Sequence, residues 1–309
     1  SNYNNFNYII YIYIMNIFNN YISKKKTKKN KFKKHICSPK KKKYTLKYSC
    51  FTPRLMRKLR RIWNKKNPNN KIISTKNNYK GIWKELKNKM KNVCDNEACW
   101  LKHECIKNDI PEYHWNKLFA PKKPKSWKNN PNEWLSNFDI SDVIKQWEKK
   151  YNNFYFIGPT PINYDTIVSG SCVEDELCNF NLKKIINKGI NKVGIVFNLD
   201  KHDESGSHWV TVFLDIIKKK IYYFDSYAKR IPKEIKRFID NVKKQGKKNN
   251  LNIKYKKIKL RHQYGYSECG MYGLYFLISL LNNIPVNYFE KDIIPDKEML
   301  KLRNEYFND

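Results

Sequence analysis

The sequence predicts an α+β domain in which a mixed sheet of about four or five strands packs on one central helix. Three observations carry that prediction. Residues 271–281 are apolar on every face, with Met271, Leu274, Tyr275, Ile278 and Leu281 at helical spacing, so this helix is enclosed by protein. Residues 208–215 and 220–225 are two strand-like stretches separated by a lysine-rich turn, a β-hairpin. Residues 193–199 form a continuous apolar run of strand length, the pattern of a strand covered on both faces.

The remaining elements follow in order. The chain of 309 residues carries a formal charge of +35, from 63 Lys+Arg against 28 Asp+Glu. Such a charge points to an acidic partner, nucleic acid or an anionic surface. The abundance of Lys, Asn, Ile and Tyr is also the signature of an AT-rich genome, and codon bias accounts equally well for part of it. Residues 1–66 read as a basic, mobile N-terminal segment. Lysine and arginine runs dominate 23–66, with Phe32, Tyr44, Tyr48 and Phe51 interleaved. That pattern fits a solvated tail or a segment laid along a polyanion. The apolar start, 8–15, is shorter than the ~20 residues of a membrane span, and its positive charge follows the apolar run, the wrong order for a secretory signal. Met15 can serve as the start, leaving 1–14 as translated upstream sequence.

Residues 67–120 read as a small helical arm, with a helix over 79–93 whose stripe is Ile82, Leu86, Met90 and Val93. Cys94, Cys99, His103 and Cys105 raise the question of zinc, but their spacing matches none of the usual ligand pairs. Cys99, Trp100 and Leu101 read instead as core of that arm. No metal or cofactor is assigned. The eight cysteines form no regular framework, which predicts reduced thiols.

A Pro/Lys-rich stretch at 121–132 opens the main domain, 121–309. Ser136 caps a helix with the stripe Ile140, Val143, Ile144, Trp147 and Tyr151, and Asp139 sits in its first turn. A strand at 154–157 ends at Gly158-Pro159, and a helix at 182–187 ends at Gly189. After the hairpin come an amphipathic helix at 233–245 and a strand within 251–260, broken in register at Lys256-Lys257.

Cys269 opens the central helix. There the helix dipole and free N–H groups favour a thiolate. A nucleophilic thiol needs a base, a group that orients the base, and oxyanion donors. Among the six histidines, His208 begins the hairpin's first strand and Asp225 ends its second, so folding the turn brings imidazole and carboxylate within a few residues of register. His262 lies close to Cys269 in sequence, in a loop that offers it no partner. Taken singly, Cys269 is a small core residue, His208 an edge-strand histidine and Asp225 a turn former. Together they make a coherent site.

The motifs Gly206-x-His208-Trp209, Tyr223-Phe224-Asp225-Ser226 and Gln263-x5-Cys269-Gly270 resemble the adenain/Ulp-type cysteine proteases, a family that includes SUMO-specific proteases and the core-protein proteases of large DNA viruses. The resemblance covers about 134–282 and implies an α+β cysteine protease core with the nucleophile on its central helix. It implies roles as well: Cys269 the nucleophile, His208 the general base, Asp225 its orienter, and Gln263 an oxyanion donor beside the Cys269 N–H. Trp209 and Trp134 would line a narrow groove, and Gly270 would keep the space beside the thiol open for glycine-rich substrate. Gly265 would let the loop turn. The implied activity is endopeptidase cleavage after Gly-Gly-like sites in viral structural or core polyproteins during virion maturation, in the virion core and host cytoplasm. The basic segment would hold the enzyme on DNA. A SUMO- or ubiquitin-like isopeptidase is the second expectation. A nucleic-acid-binding virion protein on an inactive protease fold is the third.

Overall fold

The structure, a computed structural model, describes residues 32–39, 45–112 and 117–309. The apolar start, the basic runs at 24–29 and 40–43, Tyr44 and His114 lie outside the described residues. The described residues divide into two compact units, one formed by 32–34 and 53–111, the other by 35–39, 45–52, 112 and 117–309.

The smaller unit contains helices α1 (Pro53–Lys66), α2 (Tyr79–Lys89) and α3 (Glu97–Lys102). Within the arginine- and lysine-rich α1, Met56, Leu59, Ile62 and Trp63 form one buried stripe. The charges occupy the opposite face, so like charge does not prevent this segment from folding. Asn78 caps α2 by accepting the Gly81 N–H at 2.9 Å. The helix stops at Lys89, and Val93, expected on its buried stripe, is 63% exposed. Phe32 packs on Trp83 and Trp100, with ring centroids 5.3 and 5.4 Å away, rather than standing free to stack on bases.

Two expectations are thereby corrected. The described part of 1–66 is not one mobile segment: α1 belongs to the helical unit, and 35–39 and 45–52 belong to the larger one. In the larger unit Cys37 is bonded to Cys50, Phe51 is fully buried, and Asn308 ties down Ile36 through both its N–H and its carbonyl. Nor are the thiols uniformly reduced. Cys37–Cys50, Cys94–Cys99 and Cys172–Cys178 are disulfides, leaving Cys105 and Cys269 as the free thiols. Each pair lies close in sequence, 13, 5 and 6 residues apart, so local turns suffice to join them without a long-range framework. The Cys94–Cys99 bond also removes two of the four candidate zinc ligands.

The larger unit contains helix α4 (Asn137–Lys150), strand β1 (Phe154–Pro161), the small hairpin β2–β3 (Ile167–Val168, Ser171–Cys172), short helices α5 (Asp175–Cys178) and α6 (Leu182–Asn187), β4 (Lys192–Asn198), β5 (Trp209–Asp215), β6 (Lys220–Phe224), α7 (Lys233–Lys248), β7 (Lys254–Lys257), α8 (Cys269–Leu281), α9 (Tyr288–Lys291) and α10 (Asp296–Tyr306). Ser136 and Asp139 form a reciprocal capping box at the start of α4. The main sheet runs β1-β4-β5-β6-β7, with parallel pairs at both edges and antiparallel pairs between them.

Both faces of this sheet are covered, and alternation along the strands sorts the side chains. Trp209 and Phe213 of β5 face the core built on α4, α8 and α10, while Val210, Val212 and Leu214 face the core built on α6 and α7. Apart from partly exposed Tyr275, α8 is buried throughout, so its first residue is held by the whole core. No helix among the described residues is long and apolar enough to cross a membrane.

Candidate active site

The hairpin brings His208 and Asp225 together. Its last register pair is Thr211 with Phe224. Continuing that register places His208 opposite Tyr227 and diagonally across from Asp225. Both relationships are realised. His208 Nε2 lies 2.7 Å from Asp225 Oδ1, and the imidazole stacks on the Tyr227 ring at 4.9 Å. Asp225 is in turn fixed by the turn that follows it, accepting the Tyr227 N–H at 2.9 Å and the Lys229 N–H at 3.1 Å. With Nε2 engaged by Asp225, Nδ1 is the ring nitrogen left to serve a neighbouring thiol. Burial pulls the His208 pKa down, but the hydrogen bonds to Asp225 and Cys269 outweigh it and hold the value at about 9.

Gln263 is fully buried, and its amide is oriented from both ends. Oε1 accepts the Ser226 hydroxyl at 2.6 Å, and Nε2 donates one proton to the Gly265 carbonyl at 3.1 Å. The second Nε2 proton stays uncommitted among these contacts. The Ser226 carbonyl accepts the N–H groups of both His262 and Gln263 at 2.9 Å, tying this loop to the end of the hairpin.

His262, expected to lack a partner, is fully buried and bonded at both nitrogens. Nε2 reaches the Phe289 carbonyl at 3.0 Å, and Nδ1 accepts the Ile294 N–H at 3.1 Å. It is a neutral structural imidazole, and burial holds its pKa below the ordinary histidine range. The stretch 282–309 has no periodic signal strong enough to suggest these partners.

A cleft of about 790 Å³ is lined by Trp134, Leu135, Trp209, Gly206, Asn198 and Thr160, among others. Trp209, the residue after His208, joins this cleft to the site. Its indole donates to the Leu135 carbonyl at 3.0 Å. Buried Arg303, which no sequence motif singles out, donates to the carbonyls of Pro131 and Glu133 at 3.2 and 2.6 Å and stacks on Trp127 at 4.4 Å. It anchors the segment that delivers Trp134 and Leu135.

The two glycines take roles other than those expected. A Cβ on Gly270 would lie 2.9 Å from Leu135 Cβ, so this glycine admits the Leu135 side chain rather than substrate. Gly265 is not in the left-handed region; a Cβ there would meet Glu268 Oε2 at 2.7 Å. Gly270→Ala is accordingly expected to destabilise the fold by about 1–3 kcal/mol, the usual cost of overpacking, measurable as a lower urea midpoint. Activity should fall with it, because Leu135 holds the Trp209 indole.

Residues 131–309 match the Ulp1 protease family, C-terminal catalytic domain. The chain is 32% identical to the thiol protease R355 of Acanthamoeba polyphaga mimivirus over 238 residues, covering 76% of this chain and 77% of that protein. It is 26% identical over 231 residues to a SUMO-1 cysteine protease of African swine fever virus, covering 69% of this chain and 83% of that protein. The crystal structure of an African swine fever virus protease superposes with a TM-score of 0.65 at 23% identity, covering 88% of this chain and 95% of that chain.

Proposed function

The chain belongs to the Ulp1 protease family and is a cysteine protease by that membership; from this premise we propose that it is an endopeptidase cleaving after Gly-Xaa sites, using Cys269, His208, Asp225 and Gln263. The observation that carries the reading is the buried His208–Asp225 contact at 2.7 Å. In the first step the Cys269 sulfur attacks the scissile carbonyl carbon while its proton resides on His208. Asp225 holds the imidazolium in the orientation that faces the sulfur. The carbonyl oxygen becomes an oxyanion, received by the free Nε2 proton of Gln263 and the Cys269 N–H at the start of α8. His208 then gives its proton to the leaving amine as the C–N bond breaks, leaving a thioester. Water, deprotonated by His208, attacks the thioester and restores the thiol.

Trp134 and Trp209, both lining the cleft beside His208, support selectivity for glycine, since flat aromatic walls leave little room for a substrate Cβ. The substrates we infer are structural and core polyproteins of a maturing virion, in keeping with the viral origin of the relatives. The test pairs Gly-Gly-Xaa peptides with the same peptides carrying Ala-Ala before the scissile bond. A kcat/KM at least about 100-fold higher for Gly-Gly is expected, a discrimination of the size steric exclusion supplies. Equal rates would overturn the glycine assignment.

The name of the African swine fever virus relative favours a second reading, a SUMO-type isopeptidase. Release of SUMO from a lysine-linked conjugate, without cleavage of free peptide or polyprotein, would establish it in place of the first. The chain carries a cysteine, a histidine, a carboxylate and a glutamine that together suffice for the chemistry, which supports the enzyme reading over an inactive fold.

A further inference from the structure

We infer that Asp296 and Tyr227 are positioning residues for the oxyanion donor, Tyr227 through the Gly265 carbonyl and Asp296 through the two peptide units that lead to it. The inference rests on the role proposed for Gln263 and extends it to residues in elements outside the motifs that suggested the site.

Asp296, the first residue of α10, turns its carboxylate onto the loop that precedes Cys269. Oδ2 accepts the N–H of Tyr264 at 3.0 Å and that of Gly265 at 2.8 Å. Oδ1 lies 2.9 Å from the Tyr272 hydroxyl, so the carboxylate is itself held from α8. Two adjacent N–H groups clamped by one oxygen fix the peptide planes on either side of Tyr264. The Gly265 carbonyl is set by its own bonds in the same turn. It accepts the Tyr227 hydroxyl at 2.6 Å and Gln263 Nε2 at 3.1 Å.

The consequence is geometric. An amide nitrogen carries two protons in one plane. Binding one of them to Gly265 O, with Oε1 held by Ser226, determines where the other points. Tyr227 shares that carbonyl, and its ring stacks on His208, so the base and the oxyanion donor are referred to one hydroxyl-bearing side chain. Burial and the neighbouring acidic groups hold the Tyr227 pKa above the ordinary tyrosine value, so its hydroxyl stays a donor. A Cβ at Gly265 would lie 2.7 Å from Glu268 Oε2 and 3.4 Å from Asp296 Oδ2, so this position sits against the carboxylate that holds the loop.

The test compares kcat and KM for a cleaved peptide with the rate at which iodoacetamide alkylates Cys269, a reaction that uses the thiol and His208 but forms no oxyanion. Gln263→Ala should lower kcat about 100-fold, as loss of an oxyanion donor does elsewhere. Asp296→Ala should lower kcat about 10-fold at unchanged KM, yet add less than about 2-fold in the Gln263→Ala background, because both changes remove the same interaction. Asp296→Asn should restore kcat, since its oxygen still accepts both N–H groups and its NH₂ can donate to the Tyr272 oxygen. Alkylation should proceed at the wild-type rate in every variant. If Asp296→Ala does not fold, Tyr227→Phe serves instead: it keeps the ring and should lower kcat about 3-fold in the wild-type background only. Equal losses in both backgrounds, or alkylation slowed in step with hydrolysis, would reduce these residues to general structural support. An unchanged kcat in Gln263→Ala would instead overturn the donor role itself, and the inference with it.

Discussion

Cys269→Ala is expected to abolish cleavage, with kcat falling by at least about 10⁴-fold while the protein stays folded. The size of the effect follows from what the thiol does. On the proposed mechanism no thioester forms without it, and His208 and Gln263 are left with only a water to activate. The substitution itself is mild, since Cys269 fills little volume at the first turn of a helix held along its whole length by the core. A thermal melt close to wild type alongside lost turnover would separate chemistry from folding. Retained cleavage would remove Cys269 from the mechanism. Substrate should still bind, so Cys269→Ala also offers a trap for capturing the natural substrate.

Removing the carboxylate from the imidazole has the second largest effect. Asp225→Ala leaves a buried ring without its partner and should lower kcat/KM by about 10²–10³-fold. Asp225→Asn keeps an acceptor for Nε2–H and so a partner for the ring, but it removes the charge. In the wild type the hydrogen bonds to Asp225 and Cys269 overcome burial and raise the His208 pKa from the ordinary 6.5 to about 9. The alkaline limb of the kcat/KM profile is therefore expected near pH 9, and Asp225→Asn should move it to lower pH. The sign for stability follows from the same shift. Because the folded state binds the proton more tightly, His208 contributes stability that is complete below pH 6.5 and lost as pH rises through about 9. Denaturation at both ends of that window should show a difference in the wild type that shrinks in Asp225→Asn. An alkaline limb that does not move would exclude Asp225 as the group that holds the proton on His208.

Much of the larger unit is legible in the sequence because its signals are local. The hairpin announces itself by two strands and a lysine turn, and its length alone brings His208 near Asp225. The apolar run of α8 fixes where Cys269 must sit. What stays hidden is what depends on distant partners. Asp296 follows a proline and looks like any first residue of a helix. Nothing in its surroundings says that it caps a loop more than 30 residues earlier. The local pattern suggests substrate space for Gly270 and chain turning for Gly265, whereas each makes room for a neighbouring side chain that only the fold reveals. Helix α1 is masked by its own charge, because a composition count does not register that four apolar residues line up on one side. The cysteine pairs escape notice because each is closed by a local turn, and irregular spacing does not read as a framework.

The placement of His208 and Asp225 on one hairpin bears on how the enzyme comes into being. Their pairing closes a loop of 17 residues, a modest entropic cost, and belongs to the part of the chain that can assemble earliest. The sulfur comes from a helix that must be packed along both the sheet and the C-terminal segment before its first residue is placed. A nascent chain can thus hold its acid–base pair well before it holds a nucleophile. With Cys269 as the proposed nucleophile, cleavage requires the finished core, and a partly folded chain holding only the hairpin pair is not yet a protease.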